Sequence, residues 1–572
     1  MGKSAVRFFA FVGAGLAAVS TVALATALAA APFAAAASAT GTPQVETARP
    51  VTNVFNGTRV FEAPQVAVDP KDPSTLAMVA GNYHPPGGCY LYISRDSGVT
   101  WKLATDSLLP SGYQFCVDRP ISGHYARPVF ASNGTLYIGF GGAGAAGFPN
   151  NPSAALMAVT TDLGATHHTY VVQASHQVTG TNPSTKAPAT AMTQVHTVDV
   201  AVDPKDPNRV YMSWLLTTTP PAGFKGFVNG VFSVVHPEET MMSVSNDGGH
   251  TWSTAVDLTK TAHPAIPTSS GTGVSSMVVA PNGTAYAFAS ESLAKKAKGP
   301  NHLVMYKSTD HGNSWTGSVV GFSVPTAFQS LSVPQVALDA ASGELYLAAQ
   351  VTVGSPSAKS GVDTIYVSSS TNGGQSWATP VDVVDAAASS AYDQYDPGIS
   401  VAPNGRVDVA WQDFRSDPYY KLGAGGMPVA GSAMSETYYD IYASSSTDQA
   451  TSWSPNIRVS SQTINSNLGV EFPNFADGPV GISSTNSSMY AAWGSPAAGT
   501  PAGSPEDSYF NAVNLSAPVA TAAPSTEHNA LWGIIGGGSG LLLAALLLLI
   551  GTVIGRQRNR PRNAPSPAPP AS

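Results

Sequence analysis

An eight-residue pattern that returns six times restricts this chain more than any other feature. Residues 94–101 read SRDSGVTW, 160–167 TTDLGATH, 245–252 SNDGGHTW, 308–315 STDHGNSW, 370–377 STNGGQSW and 446–453 STDQATSW. The shared form is S-x-D-x-G-x-[ST]-W, with Thr160, His167, Asn372 and Ala450 as the departures. Each position has a job in a tight reversal. The carboxylate accepts hydrogen bonds from the amides of its own turn. The glycine permits a positive φ, and the tryptophan carries a large ring into the packing beyond the turn. Copies 62 to 85 residues apart signal a repeat architecture, one hairpin lock per unit.

Ahead of each copy runs an apolar strand, a turn and a second apolar strand. Examples are PQVAVDPKDPSTLAMVAG (64–81), RPVFASNGTLYIGFGG (127–142), VDVAVDPKDPNRVYMSW (198–214) and PGISVAPNGRVDVAW (397–411). D-P-K-D-P, S-N-G and P-N-G are turn chemistry between alternating runs. Each unit therefore reads as a four-stranded antiparallel blade. A seventh unit, 478–494 with 507–515, has no box and lacks its outer strand. The segment RPVTNVF (49–55) is the expected donor, a closure that removes exposed strand edges. The predicted fold is an all-β propeller of seven blades, with six as the alternative.

Over about residues 60–515 these boxes and strands resemble the Asp-box (BNR-repeat) proteins of the sialidase superfamily. The resemblance implies that Asp96, Asp162, Asp247, Asp310, Asn372 and Asp448 are structural rim positions, away from any active site. Family sialidases hold the substrate carboxylate with three arginines. They use a tyrosine nucleophile activated by a glutamate, and an aspartate as acid/base. The first arginine lies in an F/Y-R-I-P motif. The matching stretch here is FEAP (61–64), with Glu62 in that place. A carboxylate there repels a sialic acid carboxylate by on the order of 1 kcal/mol, which argues against true sialidase chemistry.

The two ends read as targeting segments. Lys3 and Arg7, an apolar run from Phe8 to about Phe33, and Ala37-Ser38-Ala39 fit a signal peptide (1–39) cleaved before Thr40. Leu531–Gly555 carries no charge and is followed by Arg556, Arg558, Arg560 and Arg562. That pattern predicts one membrane-spanning helix with a cytoplasmic tail (556–572), a short stalk (516–530) and an extracellular propeller (40–515). All 35 acidic residues lie between these ends, while six of the 27 basic ones lie outside. The acidic exterior excludes a nucleic-acid partner. The expected partners are the membrane and a glycan or other surface ligand, with the chain a monomer that needs no cofactor.

Two cysteines, Cys89 and Cys116, are placed to form one disulfide in an oxidising compartment. No Cys/His spacing calls for a metal. Propeller ligands bind where inner strands begin, so polar residues there are the candidates. Asp118 and Arg119 (DRPI), Asp413 and Arg415 (WQDFR), and Tyr392 and Tyr395 (AYDQYDP) form the catalytic set, with tyrosine rings suited to packing on pyranose faces. Each has a plainer reading: Asp413–Arg415 as an internal pair fixing a loop, Arg119 as a blade-to-blade tie, the tyrosines as packing. His84, His196, Asp199, Asp393, Asp396 and Glu471 also lie in such stretches. Three functions are compatible with these residues. One is a membrane-anchored propeller that binds or processes glycans. Another is a non-catalytic propeller binding a protein or cell-wall partner. The third is a different surface enzyme, such as a metal-dependent lyase or hydrolase.

Overall fold

Every repeated octapeptide closes in the same way. In the first copy, Ser94 Oγ donates to Asp96 Oδ1 at 2.7 Å and accepts from the Gly98 amide at 2.8 Å. Asp96 then accepts from the Thr100 amide (2.8 Å) and hydroxyl (2.6 Å). The same lock recurs on Asp162, Asp247, Asp310 and Asp448. Asn372 keeps it, its amide nitrogen donating to Ser376 Oγ at 2.7 Å. Ala450 takes over the glycine's left-handed backbone at φ 61°.

The computed structural model describes residues 43–52, 60–82, 87–116, 126–144, 153–181, 188–219, 227–228, 231–232, 239–261, 268–293, 302–324, 327–355, 360–420, 438–468, 478–496 and 505–515. The signal peptide, stalk, membrane helix and tail expected from the sequence lie outside them. Among the described residues no helix is long and apolar enough to cross a membrane.

These residues form seven antiparallel blades. The innermost strands are Phe61–Asp69, Arg127–Phe130, Pro188–Val202, Thr268–Val279, Ala327–Leu338, Gln394–Val401 and Gly481–Ser484, and each pairs outward through a second and third strand. The third blade carries an extra inner strand, Gln177–Thr181. The seventh gains its outer edge from the chain start: Gln44–Val45 and Arg49–Pro50 both pair antiparallel with Glu506–Asn514. The donor predicted at 49–55 is thus seen at 49–50, extended upstream by a second short strand.

Seven apolar clusters fill the seven gaps between adjacent blades. The box tryptophans belong to them and lean on the preceding blade. Trp101 meets Phe510 at 5.0 Å, Trp315 meets Tyr211 at 6.4 Å and Trp377 meets Phe288 at 5.8 Å, each edge-on. The box glycines are needed twice over. Gly98 sits at φ 87°, and a Cβ there would lie 2.1 Å from the Phe510 ring.

One residue per blade occupies the same level of the central channel: Gln65, Arg127, Asp199, Ser276, Gln335, Gly398 and Gly481, paired with Val79, Gly139, Ser213, Phe288, Ala348, Ala410 and Ala492 of the second strands. Just before this level the inner strands bulge, with positive φ at Ala63 (42°), Thr197 (39°) and Asp396 (53°). Arg127 reaches across. Its Nε donates to Asp199 Oδ1 at 2.7 Å, Nη1 to Gln65 Oε1 at 3.3 Å and Nη2 to Gln335 Oε1 at 3.2 Å. One guanidinium therefore ties blades one, two, three and five. The glycines stand where strands crowd: a Cβ on Gly398 would meet the Val480 carbonyl at 2.1 Å, and one on Gly481 the Pro64 carbonyl at 2.3 Å.

Candidate functional site

The strand order sends the box turns to one end of the blades. The starts of the inner strands and the loops between second and third strands go to the other. At that second end, on blades five and six, the described polar residues converge. Gln394 opens the inner strand opposite Asp413, and Asp413 lies opposite Asp440 on the third strand.

Asp413 is fully buried and fully used. It accepts from Arg415 Nε (2.8 Å), Arg415 Nη2 (2.7 Å), the Arg415 amide (2.9 Å) and Trp411 Nε1 (2.9 Å). Arg415 also donates to Asn456 Oδ1 at 3.0 Å and stacks over the Tyr442 ring at 4.1 Å. Burial opposes its charge, but the bonds and charge of Asp413 prevail and raise its pKa. The pair locks the loop after the second strand of blade six to its own third strand, which is the plainer of the two readings of WQDFR.

Beside it lies an arrangement built on Asp393, which is only 1% exposed. Its Oδ2 accepts from Tyr420 Oη at 2.5 Å and its Oδ1 accepts from the Asp363 amide at 2.7 Å. Asp363, on the third strand of blade five, accepts from Thr352 Oγ1 at 2.5 Å. Burial pushes the Asp363 carboxyl up to about 6. The Asp393 charge pushes the same way, against the lowering bonds from Thr352 and Gln350. Asp363 and Tyr420 are both partly exposed. The arrangement pairs a phenol held against a buried carboxylate with a neighbouring carboxyl that keeps its proton to near-neutral pH, the combination general acid and nucleophilic chemistry requires.

The other candidates separate. Tyr392 packs against the Tyr420 ring at 5.2 Å, so it belongs to the cluster. Tyr395 packs edge-on against Phe414 at 5.5 Å and joins the apolar core between blades six and seven. Asp396 accepts from Gln412 Nε2 at 3.3 Å. His196 is buried, its Nε2 at 2.8 Å from Thr217 Oγ1. Arg127 and Arg415 are held by different carboxylates, Asp199 and Asp413. Asp118, Arg119, His84 and Glu471 lie outside the described residues, and the Glu62 side chain is likewise not described. Cys89 and Cys116 are both buried thiols with no sulfur–sulfur bond between them. Burial, then the hydrogen bond with Cys116, raises the Cys89 pKa. Among the described residues no group of three or more His, Cys, Asp or Glu is placed to hold a metal ion.

Tyr420, Asp363 and Thr352 were not singled out from the sequence. Tyr420 follows WQDFR by five residues in DPYY, and Asp363 is the fourth residue of the strand that leads into the fifth box. Only the ring geometry joins them.

Fold and site together define a seven-bladed β-propeller with an acidic, tyrosine-lined cluster at the mouth of its fifth and sixth blades. No family model matches the chain, and no curated protein matches it. Among solved structures it is similar to a protein of unknown function from Dyadobacter fermentans, at 15% identity over 70% of this chain and 97% of that one, with a TM-score of 0.40. It is also similar to a Trypanosoma rangeli sialidase mutant displaying trans-sialidase activity, at 15% identity over 69% of this chain and 54% of that one (TM-score 0.38). A third is an ulvan lyase of a polysaccharide lyase family, at 15% identity over 61% of this chain and 76% of that one (TM-score 0.39).

Proposed function

We propose that this chain is an exported propeller of the sialidase superfamily, anchored by its C-terminal helix with the blades outside the cell, and that it binds and processes glycans. The observation that carries the reading is the 2.5 Å hydrogen bond from Tyr420 to buried Asp393, beside Asp363 with its pKa raised to about 6. In this reading Asp393 draws the phenolic proton and Tyr420 Oη attacks the anomeric carbon. Asp363 delivers the proton that the leaving oxygen needs. The Tyr392 ring, packed on Tyr420, lines the approach. Sialic acid is a poor match. Six of the seven described arginines, Arg49, Arg127, Arg209, Arg406, Arg415 and Arg458, each pair with a carboxylate, and the seventh, Arg95, stands in the first box turn at the opposite end of the blades.

The test is a panel of fluorogenic aryl glycosides, a sialoside included, on the full chain. Turnover of at least one sugar is expected, and it should be lost in Tyr420→Phe and Asp363→Asn with the fold intact by circular dichroism. Turnover that survives both substitutions, or none across the panel, sinks the enzymatic reading and leaves a non-catalytic binding propeller.

A further inference from the structure

A cleft of about 500 Å³ opens between the N-terminal strap (Thr47–Pro50), the loop at the outer edge of blade six (460–468) and the second and third strands of blade seven. Its size is that of an ordinary small-ligand site. Its lining differs from the Asp393 cluster in one respect: it contains no acidic or basic side chain.

Two aromatic rings form its floor. Trp493 and Tyr509 stack with centroids 6.2 Å apart and planes 18° apart. Trp493 is 4% exposed, so it backs the platform, whereas Tyr509 is partly open. Hydroxyls and amides form the walls, and several are already oriented. Ser461 Oγ accepts from the Ala48 amide at 2.6 Å, which leaves its proton free to point elsewhere. Asn465 is fixed by Tyr438 Oη at 3.1 Å and the Asn467 amide at 3.1 Å. Gln462 stands exposed at the rim. Charged neighbours outside the lining are paired: Arg458 with Asp440 at 2.7 Å, with Thr463 Oγ1 accepting from Arg458 at 3.0 Å, and Arg49 of the strap with Glu46 at 2.8 Å.

This chemistry selects one class of ligand. A carboxylate or phosphate would need a cation, and the arginines beside the cleft are already paired, Arg458 with Asp440 and Arg49 with Glu46. An alkyl chain would leave the lining hydroxyls and amides without partners. A pyranose offers a flat C–H face to Tyr509 and a rim of hydroxyls to Ser461 and Gln462. We propose that the cleft between the strap and blades six and seven is a second recognition site, for an uncharged saccharide. It shares no residue with the Tyr420–Asp393 cluster and does not depend on catalysis there.

The experiment is titration calorimetry of the full chain with cellohexaose and, separately, with a galacturonic acid hexamer. Cellohexaose is expected to bind and the acidic hexamer to bind at least about tenfold more weakly. Tyr509→Ala should weaken cellohexaose by about tenfold or more, with Tyr509→Phe retaining it. The exposed Gln462→Ala serves if Tyr509→Ala fails to fold, and should weaken it several-fold. Tyr420→Phe should leave the affinity unchanged. Absence of binding, equal binding of the acidic hexamer, or affinity indifferent to both Tyr509 and Gln462 overturns the assignment. Loss of binding in Tyr420→Phe moves the sugar to the other cluster and overturns it as well. Failure of the glycoside panel above leaves this assignment standing.

Discussion

Thr52 and Asp507, 455 residues apart in sequence, share a hydrogen bond of 2.9 Å inside the protein. The Thr52 hydroxyl also accepts from the Ser508 amide at 2.9 Å, and the Val51 amide reaches the Ser508 carbonyl at 2.8 Å. The chain start is therefore the clasp of the ring. Thr52→Val removes one hydrogen bond to a buried carboxylate and the hydroxyl that the buried Ser508 amide donates to, so it should cost about 1–3 kcal/mol in denaturant unfolding. A change within error would mean the clasp is not closed in solution.

A box glycine and a loop glycine give a controlled comparison. Gly98→Ala meets the Phe510 ring at 2.1 Å as well as a φ of 87°, whereas Gly112→Ala, at φ 98°, has nothing within 4 Å. The first should lose about 3 kcal/mol or more and the second about 1 kcal/mol. Melting temperatures that fall equally would remove packing on the preceding blade as the reason for the glycine.

Arg127 is the partner of a buried charge and cannot be removed alone. Asp199 is 1% exposed, and burial raises its pKa even with Arg127 beside it. Arg127→Met should destabilise by about 3–5 kcal/mol, and adding Asp199→Leu should restore much of that loss. A double-mutant cycle reads it; additive losses would contradict the pairing.

Stability should depend on pH through two half-buried carboxyls. Asp363 and Asp382 are each pushed up to about 6, first by burial. Between the ordinary carboxylate value and 6 the native state holds more protons than the unfolded chain. Their contribution is thus full below about pH 4 and is lost as the pH rises through 6. The boxes act in the opposite sense. Asp247 is held down to about 2, chiefly by the Thr251 hydroxyl and amide, so its contribution is present above the ordinary value and lost on acidification. The double variant Asp363→Asn/Asp382→Asn should gain on the parent between about pH 4 and pH 7. Parallel stability curves for the two would refute the shifts.

Native-state thiol labelling checks the cysteines. Both are buried, and the Cys89 thiolate is disfavoured. Iodoacetamide should label the native chain far more slowly than the unfolded one. Equal rates would contradict the packing.

Much of the architecture was legible because it is local. A turn such as SRDSGVTW makes its own hydrogen bonds, and the alternating strands ahead of it declare their pairing. Even the ring closure could be inferred, since blade seven lacked a strand and the chain start had one to offer. The site was less legible. Asp413 and Arg415 were visible as a pair because they are two residues apart, but the pairing that matters chemically joins Tyr420 and Asp393 of blade six to Asp363 of blade five. Contacts between blades depend on how sheets twist and pack, and no spacing along the chain records them. The same holds for the cleft under the N-terminal strap, whose walls come from both ends of the sequence.

The Arg127 bridge makes the hub of the propeller a spoke and not an open bore. A guanidinium from blade two anchored on blades one, three and five joins non-adjacent blades through the middle of the ring at that height. A load applied to one side of the rim is therefore carried through the middle as well as around the circumference.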